Sequence, residues 1–268
     1  MGHGIALVAA LSGYEVVLND LKEELLEVAQ GKINKYLISR AEKGKIREED
    51  RRETLARIKT TINLAELKDC ELIIEAIAED RQLKKDLFQE LDKICPPETI
   101  FASNTSTVSI TELAKQRPDK FIGMHFMNPA PAMKLVEVVK GVKTSDETIA
   151  ITIELAKKMG KIPIEINDSP GFVVNRLLIP MINEAVYCLM EKVANKEAID
   201  EVMKIGANHS MGPLELADLI GLDICLNIME ELYQSFADDK YRPCPLLKKM
   251  VADGFLGKKS GQGFYKYN

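Results

Sequence analysis

The stretch ETIFASNTSTVSITELAKQRPDKFIGMHF, residues 98–126, holds the pattern on which the fold turns. Ile100-Phe101-Ala102 is a short apolar run. It is followed by the polar Ser103-Asn104-Thr105-Ser106-Thr107, a helical segment near Ile110 and a second apolar run, Phe121-Ile122-Gly123-Met124. Short buried runs alternating with helix-length segments indicate a parallel sheet joined by crossover helices. The alternation continues outward in both directions. Upstream, 14–19, 60–62 and 72–76 read as strands, with helices over 21 to about 42 and 47 to about 57. Downstream, 134–140 and 162–166 read as strands around a helix over about 146–158. At Asn167-Asp168-Ser169-Pro170-Gly171 the texture changes, and from there to about 253 only helical periodicity remains. The tail over 257–265 is Gly-rich and basic. The expected organisation is an α/β domain over 1–168 and a helical domain over 169–268.

Composition narrows the function classes. The 268 residues carry 36 Lys and Arg against 41 Asp and Glu, a net charge of −5. Such an acidic chain is a poor candidate for generic nucleic-acid or anionic-membrane binding. At 46% hydrophobic and 29% charged it has the composition of a folded domain. No apolar run approaches the roughly 18 residues of a membrane helix. The apolar segment over 4–11 lacks a preceding basic region, and Ala6 stands where a myristoylation signal needs Ser or Thr, so no targeting segment is expected. Cys70, Cys95, Cys188, Cys225 and Cys244 form no CxxC motif and lie in apolar-rich segments, which reads as reduced thiols of a cytoplasmic protein. Three histidines, none at ligand spacing, argue against a metal site.

Several constellations suggest dinucleotide-dependent chemistry. Met1-Gly2-His3-Gly4 opens a helix, and Gly2 could be the last glycine of a G-x-G-x-x-G turn, where helix amides hold a pyrophosphate. Asp20, 18 residues on at a strand end, is suited to the ribose 2′-hydroxyl, which would favour NAD over NADP; it could equally cap the following helix. Residues 31–60 hold ten basic and five acidic side chains, a face that could meet a polyanion such as a CoA nucleotide or simply be solvated. His125 follows a strand, and Glu137 lies twelve residues on in the next one. A histidine held by a carboxylate is the general acid/base that hydride transfer from an alcohol requires, though a lone histidine there is also commonly structural. The polar run 103–107 sits where ligands collect in open α/β sheets, so its short side chains can reach a nicotinamide ribose and a substrate oxygen, or equally cap the helix near Ile110. Asn175 is polar, one turn into a largely apolar helix, where a ligand or a hydrogen bond between domains would account for it.

Taken together, these segments resemble the L-3-hydroxyacyl-CoA dehydrogenase family over essentially the whole chain. The most specific pieces are Ala102-Ser103-Asn104-Thr105-Ser106, residues 123–131 (GMHFMNPAP), residues 133–137 (MKLVE), residues 170–176 (PGFVVNR), Met211-Gly212-Pro213 and Gly263-Phe264-Tyr265. The resemblance implies a Rossmann-like, doubly wound sheet followed by an all-α dimerisation domain. It also implies NAD as cofactor, an acyl-CoA substrate and a homodimer. Carried over residue by residue, it makes His125 the general acid/base, Glu137 its partner, and Ser106 and Asn175 the groups that position substrate oxygen and imidazole. Cofactor contacts fall on Gly2, Asp20, Glu79, Lys84, Asn104, Ser106, Asn128 and Lys259. CoA contacts fall on the first helical pair, with Lys43 as the basic candidate and Tyr36 where the family usually has Ser.

Family members begin with a strand and a complete Gly-rich turn ahead of the point where this sequence starts. The expectation is therefore a gap in the ladder beside 14–19 and weak NAD binding by the chain as written. Two other readings stand beside the leading one: a β-hydroxy-acid dehydrogenase that does not use CoA, and a catalytically inactive scaffold or binding protein of the same family.

Overall fold

The structure, a computed structural model, describes residues 1–267. The chain divides into two compact units, Met1–Asp168 and Ser169–Asn268. The first contains, in order, α1 (Gly2–Leu11), β1 (Val16–Asn19), α2 (Glu23–Glu42), α3 (Glu48–Ala56), β2 (Ile58–Thr61), β3 (Leu72–Glu75), α4 (Arg81–Ile94), β4 (Ile100–Ser103), α5 (Ile110–Leu113), β5 (Phe121–Phe126), β6 (Leu135–Lys140), α6 (Asp146–Lys158) and β7 (Ile162–Asn167). β1 and β2 form a parallel pair, and β3-β4-β5-β6-β7 a separate five-stranded sheet. β4 and β5 are buried along their whole length, as strands covered on both faces must be. The helix α1 is itself a core element, with Gly4 to Val8 and Ala10 buried, and Ile5 and Val8 pack with Ala102, Ile122, Met124 and Val138.

Several features of this unit differ from the sequence expectation. The sheet is mixed, because β6 runs antiparallel to β5. Residues 127–134 are too few to carry a crossover helix, so the chain turns back on itself. His125 lies within β5 rather than after it, because the ladder with β6 extends pairing to His125↔Glu137 and Phe126↔Val136. α2 begins at Glu23, not residue 21: Asp20 Oδ1 accepts the Leu21 amide at 2.8 Å, and Lys22 is the extended residue before the first turn. Gly123 is required by close approach, since a Cβ there would stand 2.7 Å from Val139 Cβ and 2.9 Å from Ile110. Any side chain would push β5 away from β6 or lift α5 off the sheet.

The second unit is helical: α7 (Val174–Met190), α8 (Lys196–Gly206), α9 (Pro213–Ile220), α10 (Leu222–Phe236) and α11 (Pro245–Ala252). Its core contains Ile182, Val186, Leu214, Ala217, Met229 and Leu232. Two buried carboxylates organise its periphery. Asp200 accepts the Leu214 and Glu215 amides at 2.8 and 3.0 Å and the Tyr265 hydroxyl at 2.8 Å. Asp218 accepts the Phe264 and Tyr265 amides and the Tyr267 hydroxyl, each at 2.9 Å. The Gly-rich tail is thus a clasp, and it places Phe264 in the core. A Cβ on Gly263 would overlap the Asp218 carboxylate.

Gly263→Ala is expected to break this clasp and lower stability by about 2–4 kcal/mol, through lost hydrogen bonds to a buried carboxylate and displaced core packing. Urea unfolding followed by circular dichroism measures it. An unchanged midpoint would show that Asp218 does not hold the tail.

Candidate active site

In open α/β sheets, ligands gather at the carboxyl ends of the parallel strands. There, β5 presents His125. Because β6 runs the other way, its early residue Glu137 lies directly opposite. His125 Nδ1 and Glu137 Oε2 are 2.7 Å apart, both groups buried. A buried carboxylate needs a donor, and the Nδ1–H supplies it. The bond places the Nδ1 proton against the carboxylate and so fixes the orientation of the ring.

The loop after β4 is held from two sides. The Asn104 amide donates to the Glu75 carbonyl at 2.8 Å, and Asn104 Oδ1 accepts the Phe126 amide at 2.9 Å. Asn104 therefore ties β3 to the residue next to His125. Glu79 Oε1 accepts the Thr105 hydroxyl at 2.5 Å and the Ser106 and Thr107 amides at 2.7 and 3.0 Å. The Ser106 and Thr107 hydroxyls lie at 3.2 and 3.1 Å from the same oxygen. Partial burial pushes the Glu79 carboxyl up, but Lys84, the Thr105 hydroxyl and the Ser106 amide more than offset this and hold it below the usual carboxylate range.

Lys84 is not on the cleft surface. It is 1% exposed, with its ammonium 2.7 Å from Glu75 Oε1 and 3.1 Å from Glu79 Oε2. Lys84 shares the buried face of α4 with Phe88 and Leu91, at i, i+4 and i+7. That spacing was the available sign that this lysine needs a buried carboxylate. Sequence reasoning missed the partner, Glu75, and it read Ser103 and Thr105 as part of a ligand-facing polar run although both are buried.

The other expected residues are distributed as follows. Gly2 opens α1, and a Cβ there would lie 3.8 Å from Ala76 Cβ, so this helix N-terminus comes to the carboxyl end of β3. Asp20 is exposed just beyond β1, and Asn128 is exposed in the segment after β5. Lys43 is exposed at the end of α2. It does not line the nearby cavity of about 270 Å³, whose basic residues are Arg40, Lys134 and Lys161, with Tyr36 among the walls. Asn175 and Lys259 belong to the helical unit. Asn175 is buried in the first turn of α7, because the helix starts at Val174, later than the sequence pattern suggested. Lys259 Nζ is 2.6 Å from Asp223 Oδ2. Among the described residues no cluster of His, Cys, Asp and Glu could hold a metal ion, and no helix is long and apolar enough to cross a membrane.

Residues 1–169 match the family model for the 3-hydroxyacyl-CoA dehydrogenase NAD binding domain, and residues 171–267 the model for the 3-hydroxyacyl-CoA dehydrogenase C-terminal domain. The chain is 58% identical over 270 residues to a probable 3-hydroxybutyryl-CoA dehydrogenase of Deinococcus radiodurans, covering all of this chain and 96% of that one. It is 51% identical over 269 residues to a 3-hydroxybutyryl-CoA dehydrogenase of Bradyrhizobium diazoefficiens, covering all of this chain and 92% of the relative. Among solved structures, the (S)-3-hydroxybutyryl-CoA dehydrogenase of Ralstonia eutropha superposes with a TM-score of 0.97 at 48% identity, over 100% of this chain and 95% of that one. With both units matched and identity above half across the full chain, this protein belongs to the 3-hydroxyacyl-CoA dehydrogenase family.

Proposed function

We propose that the chain interconverts (S)-3-hydroxyacyl-CoA and 3-oxoacyl-CoA with NAD, acting on the four-carbon 3-hydroxybutyryl ester. The observation that carries this reading is the buried His125–Glu137 hydrogen bond at the carboxyl end of the sheet. A bound nicotinamide would supply the hydride chemistry, and the chain's own residues would handle the proton. His125 takes the hydroxyl proton at Nε2, and Glu137 stabilises the imidazolium that forms. In reduction the same nitrogen gives the proton back. Ser106 and Asn175 are proposed to position the substrate oxygen and the ring.

The chain's own groups fit a dinucleotide. The positive end of α1 suits a pyrophosphate, and the exposed carboxylate of Asp20 suits a ribose diol while repelling a 2′-phosphate. Glu79, Asn104, Ser106, Asn128 and Lys259 are proposed as the remaining cofactor contacts. Lys84 acts through Glu79, as its burial requires. Lys43 remains the proposed basic contact for CoA. We also assign the protein to the cytoplasm, as a homodimer joined through its helical unit. Supporting the dimer, that unit exposes the large apolar side chains of Leu177, Val202, Ile205 and Leu219.

NADH oxidation with acetoacetyl-CoA tests the reading, with free acetoacetate as the comparison. Turnover of the ester alone is expected. Equal turnover of the free acid would favour a dehydrogenase that does not use CoA, and no turnover of either would favour the inactive scaffold. His125→Ala is expected to lower kcat by about 10²–10⁴-fold while leaving CoA-ester affinity unchanged. Unchanged turnover would remove His125 from the reaction. Glu137→Gln, which keeps the side-chain shape, is expected to lower kcat by about 10²-fold or more, because the charge opposing the imidazolium is lost. Steady-state rates at saturating substrate measure both variants.

A further inference from the structure

Glu75 is a charged residue at the end of an apolar strand, 3% exposed, and the catalytic scheme above does not use it. Its contacts are unusually directed. Carboxylate Oε1 accepts the Ile77 amide and the Lys84 ammonium, each at 2.7 Å, and Oε2 accepts the Ser103 hydroxyl at 2.6 Å. Ser103 Oγ in turn accepts the Thr105 amide at 3.2 Å, and the Glu75 carbonyl accepts the Asn104 amide at 2.8 Å. Ser103 at the end of β4 and the first two residues of the loop after it therefore hang on one residue of β3. On its other side Lys84 links Glu75 to Glu79, whose carboxylate gathers residues 105–107.

We propose that Glu75 is a positioning residue for the reaction, acting through Ser103 and through Lys84 to hold Asn104 and Ser106 in register with His125. This rests on the dehydrogenase reading above. The physical argument begins from the cost of the arrangement. A buried ion pair is seldom the most stable filling for its space, since apolar side chains of similar volume often do as well or better. What apolar residues could not do is specify the direction of two hydrogen bonds on one carboxylate, and so the path of 103–107. Asn104 carries that path onward, because its Oδ1 holds the Phe126 amide beside His125. Displacements near 1 Å at reacting groups cost about 10²-fold in rate, so a loosened loop is felt in catalysis before it is felt in folding.

Glu75→Gln preserves shape, and its amide oxygen can still accept the Ser103 hydroxyl, so it keeps the core filled while removing the charge and placing a donor where Oε1 accepts the Ile77 amide and the Lys84 ammonium. Ser103→Ala removes one hydroxyl from the same chain of contacts and serves if Glu75→Gln does not fold. For either variant, kcat with NADH and acetoacetyl-CoA is expected to fall about tenfold or more. The KM for acetoacetyl-CoA should stay within about twofold, and the pH profile of kcat should keep its position. Amide exchange at Ser106 and Thr107 should accelerate about tenfold relative to amides of β5. The double variant should be no worse than Glu75→Gln alone, because the two residues act in one chain. Wild-type kcat in a folded variant, a loss of kcat without faster exchange, faster exchange without loss of kcat, or additive losses in the double variant would each overturn the proposal. An inactive wild-type protein would instead refute the dehydrogenase reading, a result separable from the behaviour of the variants.

Discussion

The antiparallel step between β5 and β6 places Glu137 opposite His125, and the site depends on that reversal. Had residues 134–140 entered the sheet through a crossover helix, their charged residue would have met a different neighbour. The two side chains then serve each other: the buried carboxylate gains a donor, and the ring gains one tautomer and one orientation. Gly123, two residues earlier on β5, is part of the same constraint, because it lets β6 and α5 approach closely enough for the ladder to reach His125.

Both units obey the rule that a buried carboxylate must organise donors around itself. In the α/β unit, Glu75 and Glu79 gather a lysine, hydroxyls and loop amides, so a loop without regular structure is tied by hydrogen bonds to β3. In the helical unit, Asp200 and Asp218 gather backbone amides and two tyrosine hydroxyls, turning a Gly-rich tail into an ordered clasp. Breaking such an arrangement by removing one partner costs about 3–5 kcal/mol, far more than a surface ion pair contributes. The exposed pairs on α3, such as Arg47 with Asp50, are of that weaker kind.

Much of the fold was legible because periodicity reports burial directly. β3, β4, β5 and α6 appear in the sequence close to where they lie in the structure, since each is either a short apolar run or an amphipathic repeat. The ends were less legible. α2 starts later than its pattern suggests because Asp20 closes a local hydrogen bond on the Leu21 amide before the first turn. The antiparallel course of β6 left no mark in its composition, since an apolar strand reads the same in either direction.

From the sequence alone came the alternation of strands and helices, the change of texture near residue 168, and the candidates His125 and Glu137 with the polar run 103–107, because residue type and spacing carry those facts along the chain. The tertiary structure decided which charged groups are surface contacts and which are buried struts. Lys84 is the clearest case: as a lysine it could serve an anionic ligand, yet folding encloses it between Glu75 and Glu79. A side chain's chemistry is local, but its desolvation is set by elements distant in sequence, and only their packing reveals it.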